Sequence, residues 1–196
     1  MYSIKNNIEY TLEIKKSKFI TKLFRINNLN EINETLNKLN KEYNDSTHIC
    51  YAYILENNEK CSDDGEPSGT AGLPILNILK KKNLCNVLAV VIRYFGGIKL
   101  GAGGLVRAYS NSVVDTLKKV DIINLIEGYL IEIEFSYDQV KLIDYILNDK
   151  KIINKDYNNN ITYKFYLNKE QLDFIPELEK VCIHVSINDK VLIEND

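Results

Sequence analysis

Two stretches, SDDGEPSGTAG (Ser62–Gly72) and RYFGGIKLGAGGLVRAY (Arg93–Tyr109), hold most of the residues able to bind or move charge. The first supplies the carboxylates Asp63, Asp64 and Glu66 with the hydroxyls Ser62, Ser68 and Thr70. The second supplies the cations Arg93, Lys99 and Arg107. Eight of the nine glycines lie here as well: Gly65, Gly69, Gly72, Gly96, Gly97, Gly101, Gly103 and Gly104. Glycine loses much chain entropy on folding, so crowding it marks backbone that turns sharply or approaches something closely.

GGIKLGAGG (Gly96–Gly104) falls between an apolar run and a helical pattern, a placement that turns backbone N–H groups and a positive helix end toward an anion. Lys99 and Arg107 would add charge. The stretch lacks the terminal GK[ST] of a phosphate-binding P-loop, and it is not G-x-G-x-x-G with a downstream acid. Its glycines equally suit tight strand-to-helix packing. The three acids could hold Mg²⁺, an oxygen-seeking cation. They could instead form a turn and charge a helix start, or one could pair with Arg93 or Arg107 and lock the two stretches together. A hydroxyl nucleophile needs a base within reach, and His48 is the only histidine before His184. It serves either as that base or as a satisfied residue at a strand start. Together these features predict a cleft joining SDDGEPSGT to GGIKLGAGG. Two helix N-termini would face it, Arg93 and Lys99 would supply countercharge, and Asp63 and Asp64 would orient those cations or hold a metal.

These residues need elements to position them. Tyr10, Leu12 and Ile14, then Phe19, Thr21 and Leu23, alternate as two strands around KKSK. Asn28 with Glu31 three residues on marks a helix start, followed by Ile32, Leu36, Leu39 and Tyr43 at helical spacing. HICYAYILE predicts a strand from His48 to Leu55, closed by a polar turn over 56–59. A helix is expected within Ser68–Lys82, with Pro74 tolerated in its first turn. Leu84–Tyr94 reads as a strand buried on both faces. LVRAYSNSVVDTLKK reads as a helix with Leu105, Tyr109, Val113 and Leu117 on one side. From Tyr129 the order becomes β-α-β-β-α-β, with a hairpin at Asn158–Asn160, which is the ferredoxin-like order. The expected division is 1–127 and 128–196.

Bulk properties narrow the function. The 196 residues carry 45% hydrophobic and 27% charged residues, as a soluble globular protein does. No apolar run approaches the roughly 20 residues that span a bilayer, and the N-terminus has no signal-peptide pattern, so a cytoplasmic protein without membrane contact is expected. Residues 1–128 carry a net charge of +3 and residues 129–196 carry −5, which directs any nucleic-acid contact to the first half. Cys50, Cys61, Cys85 and Cys182 lack the clustering of a zinc site and are expected as free thiols. No cofactor is expected.

The two glycine-bearing stretches, with EIKKSKFI (Glu13–Ile20), His48 followed by Cys50, and KIINKDY (Lys151–Tyr157), closely resemble the signature of the bacterial YigZ and eukaryotic IMPACT proteins. The resemblance covers essentially the whole chain. It implies an α+β protein with an N-terminal α/β domain of the ribosomal-protein and GHMP-kinase type. The C-terminal domain would be ferredoxin-like, similar to one in elongation factor G. Eukaryotic relatives place a recruitment module for a translational stress-kinase activator before the shared domain. No established enzymatic activity comes with the family.

The leading expectation is therefore a non-catalytic, monomeric, translation-associated protein that contacts RNA, the ribosome or a translation factor through the first domain. The alternative is an enzyme acting on a small phosphorylated ligand, because acids, hydroxyls, a histidine and glycines converge in one window.

Overall fold

The computed structural model describes residues 1–56 and 58–195, apart from the Asp189 side chain. Position 57 of the expected polar turn lies outside the described residues. The chain is mixed α/β, with two sheets, and divides into compact units at Met1–Asn124 and Leu125–Asp196.

The first unit holds β1 (Tyr2–Ile4), β2 (Ile8–Ile14), β3 (Ser17–Arg25), α1 (Leu29–Glu42), β4 (His48–Leu55), β5 (Asn58–Ser62), α2 (Gly72–Lys81), β6 (Val87–Tyr94) and α3 (Ala102–Leu117). Its main sheet is antiparallel, in the order β2-β3-β6-β4-β5. The central strand β6 is buried from Val87 to Arg93, so both faces need cover. The pleat sends alternate side chains to opposite faces. Val87, Ala89 and Val91 pack in the cluster containing Ile75 and Leu79 of α2 and Leu105, Tyr109 and Val113 of α3. Leu88, Val90 and Ile92 pack in the cluster containing Ile32 and Leu39 of α1. Helix α1 starts where the sequence indicates: the Asn28 side chain accepts the Glu31 N–H at 3.0 Å.

Two short strands depart from the expectation. Asn58–Ser62, expected as part of a polar turn and site loop, forms the edge strand β5 against β4. Tyr2–Ile4 pairs with Ile122–Asn124. Both are supported by ladder bonds from elsewhere in the chain, which local alternation does not reveal.

In the second unit, β7 (Ile122–Phe135, of which Leu125 onward belongs here) is followed by α4 (Val140–Ile146), β8 (Ile152–Tyr157), β9 (Ile161–Asn168), α5 (Ile175–Glu179) and β10 (His184–Glu194). The antiparallel strand order is β10-β7-β9-β8. The expected second helix, NKEQLDFIPELEK, is a 3₁₀ turn over Lys169–Phe174 running into the short α5. Ile131, Ile133 and Phe135 pack with Ile143, Phe165, Ile175 and Leu178.

Candidate functional site

The site begins with sheet register. Phe19 on β3 lies opposite Arg93 on β6, which in turn lies opposite His48 on β4. All three share the pleat parity of Phe19, Cys50 and Val91, whose cluster includes α2 and α3. This row closes one end of the sheet. The SDDGEP segment, leaving edge strand β5, brings Glu66 to it.

Glu66 is 7% exposed and Arg93 5%. Arg93 Nη1 donates to Glu66 Oε1 at 2.5 Å, and the Tyr109 hydroxyl donates to the same oxygen at 2.7 Å. One carboxylate thus joins the loop, β6 and α3. Removing such a pair from water is costly unless hydrogen bonds satisfy both ions; Glu66 receives two donors, whereas Arg93 Nε is buried without a hydrogen-bond partner among the described residues. The Arg93 guanidinium also lies 5.5 Å from the Phe19 ring and 5.6 Å from Phe95. Of the pairings the sequence left open, the lock between the two stretches is formed by Glu66 and Arg93.

His48 Nδ1 is 2.7 Å from the Asp64 carbonyl oxygen. A carbonyl can only accept, so Nδ1 carries the proton and Nε2, 3.9 Å from Glu66 Oε2, is the other nitrogen. The imidazole is oriented by the Asp64 backbone carbonyl, and Glu66 lies beyond hydrogen-bond distance of Nε2. Cys50 is buried beside it, its Sγ 2.9 Å from the Asp63 carbonyl and 3.4 Å from the Tyr109 hydroxyl. Burial, with Glu66, Asp64 and Asp63 adding to it, pushes the Cys50 thiol up to about 12 against the Tyr109 hydrogen bond, so it supplies no thiolate at neutral pH. Burial likewise raises the Tyr109 phenol, together with its Cys50 and Glu66 neighbours.

The two aspartates are occupied. Asp63 Oδ1 accepts the Ala71 and Gly72 N–H groups at 3.0 and 2.8 Å, and Oδ2 accepts the Gly69 N–H at 2.8 Å. Burial works to raise its carboxyl, but these three donors outweigh it and hold the carboxyl below its ordinary value. Asp63 is therefore a distant cap for α2, whose own N-cap, Ala71, has no side chain able to do this. Asp64 Oδ2 accepts the Ile49 N–H at 2.6 Å. In the structure the two aspartates that the sequence suggested for cations or a metal accept backbone N–H groups. Among the described residues, no three His, Cys, Asp or Glu side chains are placed to hold a metal ion.

The start of α3 differs. Its N-cap, Gly101, has φ +69° and provides no side-chain cap. Gly103 and Gly104 lie in this first turn, and the Leu105 N–H donates back to the Gly101 carbonyl at 2.9 Å. Lys99 before it and Arg107 after it are exposed, with no acidic partner among the described residues. Gly97, at φ +82°, has open space where a Cβ would sit, whereas Gly96 is a packing residue. A Cβ there would lie 2.0 Å from the Lys16 carbonyl group. Ser68 is exposed, and Thr70 is buried with its hydroxyl donating 2.6 Å to the Pro67 carbonyl. The sequence placed Tyr109 on the apolar side of its helix but gave no sign of its bond to Glu66. Phe95, 46% exposed at the end of β6, is equally silent in the sequence, since one aromatic beside a glycine pair has no periodic signal.

The family model described as the Impact N-terminal domain matches residues 15–117. The chain is 36% identical over 181 residues to IMPACT family member YvyE of Bacillus subtilis (strain 168), covering 90% of this chain and 83% of that protein. It is 37% identical over 152 residues to IMPACT family member YigZ of Escherichia coli (strain K12), covering 74% of each. A crystal structure described as that of a hypothetical protein aligns with a TM-score of 0.66 at 28% identity, over all of this chain and 97% of the other. These matches define an α/β protein that carries an Impact N-terminal domain. The chain belongs to the IMPACT family.

Proposed function

We propose that this chain is a translation-associated binding protein whose first unit contacts RNA, free or within the ribosome, through the end of β6 and the start of α3. The observation that carries the reading is a separation of charge. Asp63 and Glu66 are engaged internally by backbone N–H groups, Arg93 and Tyr109, and exposed Asp64 places one carboxylate oxygen on the Ile49 N–H. Lys99 and Arg107 stand exposed around a helix start without a side-chain cap. An anion approaching this face meets uncommitted cations and N–H groups. The link to translation rests on the family resemblance. We also infer a cytoplasmic monomer; no helix among the described residues is long and apolar enough to cross a membrane.

The β10-β7-β9-β8 order supports a ferredoxin-like second unit. For the first unit, a sheet covered on both faces by helices is compatible with the ribosomal-protein and GHMP-kinase type.

The test is co-sedimentation of the intact chain with ribosomes, and fluorescence anisotropy on RNA, between roughly 50 and 200 mM KCl. Binding should weaken steeply with salt over that range. The double change Lys99→Ala/Arg107→Ala should weaken it without moving the urea midpoint. Salt-insensitive binding, or an unaffected double variant, rejects the reading. If RNA fails to bind while a nucleotide or sugar phosphate raises the melting temperature, the enzyme alternative replaces it.

A further inference from the structure

We propose that Phe95, flanked by the Lys15–Lys16 turn, is a base-stacking platform for single-stranded RNA, an inference that rests on the RNA-binding reading above and specifies its ligand. Phe95 leaves a buried strand directly into solvent, 46% exposed. Its backbone N–H donates to Thr47 Oγ1 at 2.9 Å. Its ring lies 5.6 Å from the Arg93 guanidinium, which is itself fixed by Glu66 and by the buried Phe19 ring. An exposed aromatic residue so anchored can receive a planar group with little loss of side-chain entropy. Ile98, three residues on, is 42% exposed as well.

The charge beside this ring comes from an element the glycine loop grips. Lys15 and Lys16 form the β2–β3 turn, with φ of +47° and +64°. The turn is pressed against Gly96: a Cβ at that position would lie 2.0 Å from the Lys16 carbonyl and 2.4 Å from the Ser17 nitrogen. The Gly96 N–H also donates to Ser17 Oγ at 3.1 Å. Gly96 immediately follows Phe95, so backbone packing holds the turn that carries these two exposed lysines against the residue next to Phe95 in the chain. Neither has an acidic partner among the described residues, unlike Lys22 and Lys80. An aromatic face with adjoining cations matches a base and its flanking phosphates. A duplex keeps its base faces stacked on one another except at its two ends, whereas every base of a single strand can reach the ring.

The intact chain is titrated by anisotropy against fluorescein-labelled single-stranded rU₁₂ and against a 12-base-pair RNA duplex. Phe95→Leu keeps the apolar bulk and removes the ring; it should weaken rU₁₂ binding roughly 5- to 100-fold, the scale of one stacked base. Duplex binding should change by no more than about twofold, since only its two ends offer a base face to the ring. Phe95→Trp should bind rU₁₂ as the parent does. Lys15→Ala/Lys16→Ala should reduce the slope of log K against log salt by about 1.4, at about 0.7 per phosphate contact on a single strand. Parental affinity in Phe95→Leu, or a loss in Phe95→Trp as large as that in Phe95→Leu, overturns the proposal. Should Lys99→Ala/Arg107→Ala weaken binding while Phe95→Leu does not, the stacking site is rejected and the broader RNA reading stands. An intact protein that binds duplex but not rU₁₂ likewise rejects the stacking site alone; binding to neither these RNAs nor ribosomes removes both.

Discussion

Replacing Arg93 by methionine tests the centre of the first unit. The change preserves an unbranched side chain beside Phe19 and Phe95 and deletes the charge. Glu66, 7% exposed, is left with the Tyr109 hydroxyl at 2.7 Å and His48 Nε2 at 3.9 Å. Removing one member of a buried ion pair costs about 3–5 kcal/mol. The retained tyrosine bond places the expectation at the lower end, about 3 kcal/mol. Equilibrium urea unfolding of the full chain at pH 7, followed by circular dichroism, measures the change. Adding Glu66→Gln removes the stranded charge, so the double variant should be more stable than the sum of the single losses by about 1–3 kcal/mol. If Arg93→Met costs under about 1 kcal/mol, or if the two changes simply add, Glu66 and Arg93 behave as a solvated surface pair and do not lock the two stretches together.

Asp63 contributes stability that is present above its unfolded value near 3.9 and is lost as pH falls through its depressed folded value. Asp63→Asn should cost about 1 kcal/mol at pH 7, allowing for partial solvent screening. It should also flatten the decline in stability below about pH 5 in urea titrations; an acid profile parallel to the parent would contradict the capping role. Gly96→Ala should destabilise by about 3 kcal/mol or more, because its Cβ meets backbone. Gly97→Ala should cost only about 1 kcal/mol, from its positive φ; equal losses in calorimetry would refute the distinction. Cutting the chain between Asn124 and Leu125 preserves the strand partners of Leu192, Ile193 and Glu194, whereas a cut after Glu127 removes them. The fragment 125–196 should therefore show a higher urea midpoint than 128–196, and the reverse order would place the boundary at Gly128 instead.

Much of this was legible in the sequence where chemistry is local. The alternation through Tyr10–Leu23 and the Asn28 cap are short-range patterns, and β2, β3 and α1 follow them. Residues gathered from separate elements were less legible. That a loop acid pairs with Arg93 was one open choice; that the acid is Glu66 depends on where β5 ends, and β5 is a polar edge strand without alternation. The capping by Asp63 depends on the same strand end. All the clustered glycines look alike in one dimension. Only the Lys16 turn separates Gly96, a close-packing position, from Gly97, which faces open space. Phe95 acquires meaning from Arg93 behind it and from the lysine turn beside it.

The row Phe19–Arg93–His48 bears on how the sheet chooses its pairing. From Val87 to Ile92 the central strand is apolar on both faces, so hydrophobicity alone scarcely penalises a one-residue slip against β3 or β4. Such a slip exchanges the faces of every side chain. It would turn Arg93 toward the α1 side, among Ile20, Ile49 and Ile92's present neighbours, and leave Glu66 without its guanidinium. An isolated buried charge costs far more than a mismatched methyl group. The sole charged residue of β6 therefore acts as an assembly key, rejecting the shifted sheet that the rest of the strand would tolerate.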